Sequence, residues 1–116
     1  MKKQFRLLKQ NDFQRLIKSR SSVGNSSFVL YHLQNNLDHS RVGISVSSKN
    51  HGDAVNRNLI KRQIRMMAQK VFKTDLAVDY IIIARKNYRE KTFADNLELL
   101  TNLYEKVAGV NNEKQI

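Results

Sequence analysis

A short stretch of the chain arranges cations and amides in a pattern that suits phosphate binding. Residues 52–65 read GDAVNRNLIKRQIR, and on a helix at about 100° per residue five of their side chains share one arc. We name this arc the basic face, and its members are Arg57, Asn58, Lys61, Arg62 and Arg65. Arginine dominates it, and the planar guanidinium can donate two hydrogen bonds to one phosphate. The chemistry indicated is binding of a phosphate backbone.

A row of cations can also be an ordinary solvated helix surface. On such a surface, carboxylates one turn away usually pair with the cations, yet no Asp or Glu occurs between Ala54 and Thr74. The like charges therefore repel one another and oppose folding in the absence of an anion. On this ground we predict that the basic face contacts nucleic acid.

The helix that carries the basic face is predicted from its apolar residues. Four of them recur at core-facing spacing on a different arc, namely Ile60, Ile64, Met67 and Val71. Asp53 stands at the N-cap position, and the helix is predicted to run to about Phe72. One side of the helix therefore packs while the other presents charge.

Three apolar segments elsewhere are predicted strands. Residues 28–33 are rich in strand formers, residues 41–47 alternate apolar with small residues, and residues 79–84 form an almost continuous apolar run. The first two are separated by a turn at residues 35–38, so we predict that they pair as a hairpin. The third is expected to be a central strand buried on both faces.

A short first helix is predicted around Phe13, Leu16 and Ile17, with Asn11 or Asp12 as its N-cap. Segments 48–53 and 85–91 are predicted loops, because both are polar or basic and lack apolar periodicity. The loops flank the basic helix and the central strand respectively.

A last helix is predicted to begin at Thr92, with Asp95 three residues later as in a capping box. Its apolar side comprises Phe93, Leu97, Leu100, Leu103, Tyr104 and Val107. The polar tail from Gly109 is expected to fray. Residues 1–116 are thus predicted to form one domain, with the order α-β-β-α-β-α.

The overall composition favours a polyanionic partner. Lys and Arg number 21 against 10 for Asp and Glu, which gives a formal charge of +11. There is no cysteine, which excludes disulfides, thiolate metal sites and thiol nucleophiles. No apolar run resembles a signal peptide or a membrane span, so we expect a cytoplasmic protein without a membrane role.

Catalytic and metal-binding patterns are not found in the sequence. The histidines His32, His39 and His51 do not stand at metal-ligand spacing, and the acids form no recognisable pair. His51 is expected in a solvent-exposed loop, with phosphate contact as the alternative. No serine lies in a nucleophile elbow. We therefore predict neither a catalytic residue nor a metal site on the protein.

Aromatic side chains are candidates for stacking on the bases of single-stranded nucleic acid. They are Phe13, Phe28, Tyr31 and Tyr80. Alternation along a strand places Phe28 and Tyr31 on opposite faces, so that only one of the two is available to a ligand. Tyr31 is the better candidate because its hydroxyl needs water or a partner.

Several blocks of the chain, taken in order, resemble the protein subunit of bacterial ribonuclease P. The signature is AVxRNxIKRxIR at residues 54–65, preceded by VSxK at residues 46–49. The LK…DF block at 8–13, FVLY at 28–31, RVGISVS at 41–47 and DYIIIARK at 79–86 are similar to the other blocks of that family. The resemblance covers nearly the whole chain.

This resemblance implies a function. The family removes the 5′ leader of precursor tRNA, with a catalytic RNA performing the hydrolysis through Mg²⁺ and the protein as an accessory subunit. The implied partners are ribonuclease P RNA and precursor tRNA, with no obligate protein partner evident. The resemblance also implies that the basic face contacts the catalytic RNA. The family's leader-binding cleft carries over to Phe13, Ile17, Tyr31, Ser45 and Lys49.

The resemblance also implies an α+β fold. The implied order is α-β-β-β-α-β-α, with an additional strand within residues 21–25, a four-stranded sheet with helices packed on one side, and a left-handed β-α-β crossover. Leu59 replaces a family arginine, Ile17 replaces a frequent aromatic, and the loop at 48–52 is one residue longer than usual. The alternative function is a non-catalytic, ribosome-associated RNA-binding protein.

Overall fold

The chain folds around one four-stranded β-sheet. The computed structural model describes the backbone of residues 2–114 and the side chains of residues 2–108. The elements are, in order, a 3-10 helix (Lys3–Phe5), α1 (Gln10–Ser19), β1 (Ser22–Gly24), β2 (Phe28–Gln34), β3 (Arg41–Ser45), α2 (Ser48–His51), α3 (Ala54–Val71), β4 (Val78–Ala84), a second 3-10 helix (Lys86–Glu90) and α4 (Phe93–Lys114). The strand order across the sheet is β1-β2-β4-β3. The α+β class and the additional strand β1 are confirmed.

The strand β4 lies between β2 and β3, so the predicted hairpin of residues 28–33 with 41–47 is wrong. β4 pairs antiparallel with β2 and parallel with β3. Its side chains are buried on both faces except for the half-buried Ile83, and a strand of this kind occupies the centre of a sheet. The alternating β3, with one polar face, takes the edge. β3, α3 and β4 form the parallel β-α-β unit that the resemblance implies.

The two long helices cover one face of the sheet, as expected. Ile60, Ile64 and Met67 of α3 are buried in the main core together with Leu100 and Leu103 of α4. α1 instead lies on the opposite face over β2 and β4, where Leu16 packs with Leu7 and Ile81 in a second, smaller core. The sheet therefore carries α1 on one face and the two long helices on the other.

The helix caps were predicted in part. The Asp53 carboxylate accepts a hydrogen bond from the Asn56 backbone N–H at 3.0 Å, and the Thr92 hydroxyl accepts one from the Asp95 N–H at 3.1 Å. The prediction of Asn11 or Asp12 as the cap of α1 is wrong, because Lys9 holds the N-cap position without a side-chain bond. The carboxylate of Asp12 is turned toward two arginines instead.

Two segments predicted as loops contain short helices. Residues 48–51 form α2, because the Ser47 hydroxyl accepts a hydrogen bond from the Asn50 N–H at 3.3 Å and so caps the turn. Residues 86–90 form the second 3-10 helix. The tail was predicted to fray from Gly109, but the backbone of α4 is helical as far as Lys114, and residues 115 and 116 lie outside the described part of the chain. Among the described residues, no helix is long and apolar enough to cross a membrane.

Candidate nucleic-acid interface

The basic face is held outward by the packing of α3. The buried Ile60, Ile64 and Met67 fix the rotation of the helix, so that the cationic arc points away from α4. Arg57, Lys61 and Arg65 are half-buried, whereas Asn58 and Arg62 are exposed. The four cations have no carboxylate within ion-pair distance among the described side chains. Their charge is therefore available to an external anion.

On the other face of the sheet, a buried carboxylate ties α1 to the strands. Asp79 is fully buried at the start of β4, and its oxygens accept hydrogen bonds from Arg15 of α1 and Arg41 of β3, each with a shortest distance of 2.7 Å. Asn35 donates a further bond at 2.8 Å. Burial on its own would raise the pKa of Asp79, but the hydrogen bonds from Arg41 and Asn35, followed by the other arginine interactions, outweigh it and hold the pKa below 3.8.

The register places the predicted leader-binding residues in adjacent rows. Tyr31 of β2, Ile81 of β4 and Gly43 of β3 form one row across the sheet. Phe13 of α1 lies directly over Gly43, since a Cβ atom at that position would lie 2.5 Å from the ring. Phe13 and Tyr31 belong to the same small core and both remain half-buried. The structure therefore brings these two aromatic rings to one side of the sheet.

The next row extends this surface away from α1. It consists of Val29, Ile83 and the predicted Ser45, all half-buried. We name Val29, Tyr31, Ser45 and Ile83 the open sheet face. Val29 and Ile83 were missed as candidate site residues, although the period of two from Tyr31 and the pairing with Ser45 would have indicated them.

Ile17 and Lys49 are the remaining residues predicted to line the leader-binding cleft. Ile17 is 45% exposed on α1, four residues after Phe13 and thus on the same side of the helix. Lys49 is exposed on α2, which follows the end of β3. Lys49 does not line the pocket between Phe13 and the basic face, and its assignment to the cleft stays a prediction.

A pocket of about 230 Å³ connects the two predicted surfaces, and we name it the junction pocket. Phe13 and Gly43 line it from the side of the cleft, and Lys61 and Arg65 line it from the basic face. Arg6 adds a third cation, whose buried Nε atom has no hydrogen-bond partner in the described chain. No carboxylate lines this pocket, so it combines an aromatic wall with positive charge.

Several sequence-based candidates lie inside the protein. Phe28 and Tyr80 are fully buried in the main core and are not available for stacking, which leaves Phe13 and Tyr31. The expectation of an exposed His51 is wrong: its ring is fully buried, and Nε2 lies 3.3 Å from the Ala84 carbonyl oxygen. α2 turns this ring inward against β4, which a polar loop pattern could not reveal.

Comparison with known proteins identifies a family that this chain matches. The family model for ribonuclease P matches residues 1–108. The ribonuclease P protein component of Streptococcus pneumoniae (strain Hungary19A-6) is 38% identical over 124 aligned positions, covering 100% of this chain and 99% of the relative. One known group of proteins thus matches this chain along nearly its whole length.

Solved structures give the same result. A Staphylococcus aureus RNase P protein is 40% identical, with a TM-score of 0.80, covering 89% of this chain and 94% of that one. The RNase P protein from Thermotoga maritima is 31% identical, with a TM-score of 0.76 and coverage of 87% and 96%. This chain therefore belongs to the family of bacterial ribonuclease P protein components, the subunits of this ribonuclease that associate with ribonuclease P RNA.

Proposed function

We propose that this protein binds the catalytic RNA through the basic face and holds the 5′ leader of precursor tRNA on the open sheet face. The RNA subunit performs the hydrolysis, and the protein positions the substrate. The leader is single-stranded, so an extended chain with unstacked bases can follow the strand direction across the rows that contain Tyr31 and Ser45. We also propose a cytoplasmic location, where precursor tRNA is made.

The main observation in support of this proposal is the junction pocket. Phe13, which is predicted to line the leader cleft, shares this pocket with Lys61 and Arg65 of the basic face. Substrate and catalytic RNA would then meet on contiguous protein surface. Base stacking on a ring and neutralisation of phosphates by cations are the two main contributions to single-strand binding.

In this proposal the catalytic RNA, and not the protein, binds Mg²⁺. When bound to the catalytic RNA, Mg²⁺ supplies an activated water and stabilises charge on the scissile phosphate. The described residues contain no group of three or more histidine or carboxylate side chains that could hold a metal ion. The cations of the basic face reduce the repulsion between RNA strands, which lowers the concentration of Mg²⁺ that assembly requires.

The test is cleavage of a 5′-extended precursor tRNA at low Mg²⁺ with a bacterial ribonuclease P RNA, with and without the protein. We expect stimulation only when both components are present. Protein that binds RNA without stimulating cleavage would contradict the proposal and favour the ribosome-associated alternative. Cleavage by the protein in the absence of the RNA would contradict the division of labour.

Precursor tRNAs with 5′ leaders of different lengths distinguish the role of the open sheet face from that of the basic face. Shortening the leader should reduce the benefit of the protein, because fewer nucleotides reach the open sheet face. Tyr31→Ala should remove most of this dependence on leader length, whereas Arg57→Ala should weaken binding to the catalytic RNA at every leader length. If both variants reduce cleavage equally at all lengths, the assignment of separate surfaces is wrong.

A further inference from the structure

A second pocket borders α3 on the side that faces the start of α4, and neither predicted RNA surface includes it. We name it the rear pocket. Its volume is about 240 Å³, and α3, the second 3-10 helix and the first turn of α4 enclose it. Leu59, the residue that replaces a family arginine, forms part of its wall.

The rear pocket contains two amide side chains with unused hydrogen-bonding capacity. The hydroxyl of Tyr88 donates to Oε1 of Gln63 at 2.9 Å, which orients the amide and leaves both protons of Nε2 unpaired among the described residues. The Asn56 amide, also in the wall, has no described side-chain hydrogen bond. Amides of this kind pair with the polar edges of nucleobases.

Apolar and cationic side chains complete the lining. Leu59 is 44% exposed, and the ring of Phe93 is half-buried opposite the helix. Arg89 is exposed and Lys91 half-buried, and no carboxylate lines the pocket. A nucleotide has the matching parts, namely a flat apolar base, a polar base edge and a phosphate.

We propose that the rear pocket binds one unstacked nucleotide of RNA, with its base against Leu59 and Phe93 and its edge on the Gln63 amide. Arg89 and Lys91 receive the phosphates on either side. The inference rests on the proposed RNA-binding function and adds to it a contact that depends on the base. Leu59 then offers an apolar surface to the base at a position where the family usually has a cation.

Nuclear magnetic resonance of the full chain tests the proposal directly. The side-chain NH₂ signals of Gln63 and Asn56 are followed while single-stranded hexanucleotides of uridine, adenosine or cytidine are added, and in parallel inorganic polyphosphate of equal charge. We expect the RNAs to shift both amide signals by amounts that differ with the base. Polyphosphate should shift backbone signals near cations, including Arg89 and Lys91, and leave the two side-chain amide signals unchanged. Equal shifts with RNA and polyphosphate would overturn the base contact.

The same spectra show whether a negative result concerns the rear pocket alone or the proposed function as well. Backbone signals of Arg57 and Arg65 report on the basic face. Shifts there while the Gln63 and Asn56 amides stay unchanged would overturn the rear pocket and leave the proposed function intact. Unchanged signals at both places would overturn both.

A matched pair of variants provides a second test. Gln63→Glu keeps the side-chain size and the oxygen that accepts from Tyr88, but replaces the Nε2 donor by a carboxylate oxygen. We expect about tenfold weaker hexanucleotide binding, the effect of losing one base-edge contact. Gln69→Glu changes the charge equally at an exposed site on the same helix and should have a much smaller effect. Equal losses in the two variants would show a general charge effect and overturn the proposal.

Discussion

The guanidinium of Arg15 in α1 lies 2.7 Å from the buried carboxylate of Asp79 at the start of β4. Arg41 of β3 approaches the same oxygen at the same distance. A single carboxylate thus fixes the position of α1 relative to two strands of the sheet. Since Phe13 projects from α1 over β3, this contact also sets the width of the proposed cleft.

Asp79→Asn should destabilise the protein by about 2–3 kcal/mol, less than for a fully buried pair because both arginines keep partial access to solvent. Asp75→Asn, at an exposed position before β4, should change the free energy of unfolding little. Urea denaturation at neutral pH measures both. Equal effects of the two substitutions would contradict the role of the contact.

The contribution of Asp79 should depend on pH. Its pKa in the folded state is below 3.8, so its stabilising effect is complete above that value and is lost as the pH falls through the lower folded pKa. The difference in unfolding free energy between the native protein and Asp79→Asn should therefore be constant near neutrality and shrink below pH 3.8. A difference that does not change with pH would show that ionisation of Asp79 is unimportant.

Gly43→Ala should displace Phe13. The added Cβ atom would lie 2.5 Å from Cζ of Phe13 and 3.2 Å from the Leu7 carbonyl oxygen, and overpacking of this kind costs about 1–3 kcal/mol. Leader-dependent cleavage should fall together with the melting temperature. Gly24→Ala is the control, because its Cβ would meet nothing closer than 3.4 Å. If the two variants melt at the same temperature, Phe13 does not pack as described.

Arg62→Ala should weaken binding to the catalytic RNA by about 1–2 kcal/mol, since Arg62 is exposed and lacks a described ion pair. The slope of log K against log[salt] should fall by about 0.7–0.9 as one phosphate contact is lost. Lys106→Ala, an equal charge change on α4, serves as the control. A parallel loss of melting temperature and binding would indicate a structural role for Arg62.

Tyr88→Phe removes the hydrogen bond to Gln63 and should cost about 1 kcal/mol at neutral pH. Burial raises the pKa of Tyr88 from 10.0 to about 12. The stability that this raised pKa reflects is complete below pH 10.0 and is lost as the pH approaches 12, so the native protein should lose stability more steeply than Tyr88→Phe in that range. Urea denaturation between pH 7 and 11 measures the difference, and identical pH profiles would contradict it.

Local patterns predicted the parts of the site that depend on neighbours along the chain. The stripe that contains Ile60 and Ile64 oriented the basic face correctly, and Asp53 marked the beginning of α3. The pairing of β2 and β3 was predicted wrongly, because strand order depends on contacts between distant segments. Burial of His51 was missed for the same reason, since the ring packs against β4 more than thirty residues away. Short caps such as Ser47 act within one turn and leave little trace in the apolar pattern.

The central position of β4 has a consequence for synthesis. Ribosomes make β1, β2 and β3 before β4, yet both β2 and β3 pair with β4 along their length. Until residue 84 has left the exit tunnel, β3 has no partner strand among the described elements, and α3 has only part of the surface on which it packs. The nascent chain therefore exposes its cations while the sheet can consist of β1 and β2 alone, and completion of the fold follows translation of the central strand.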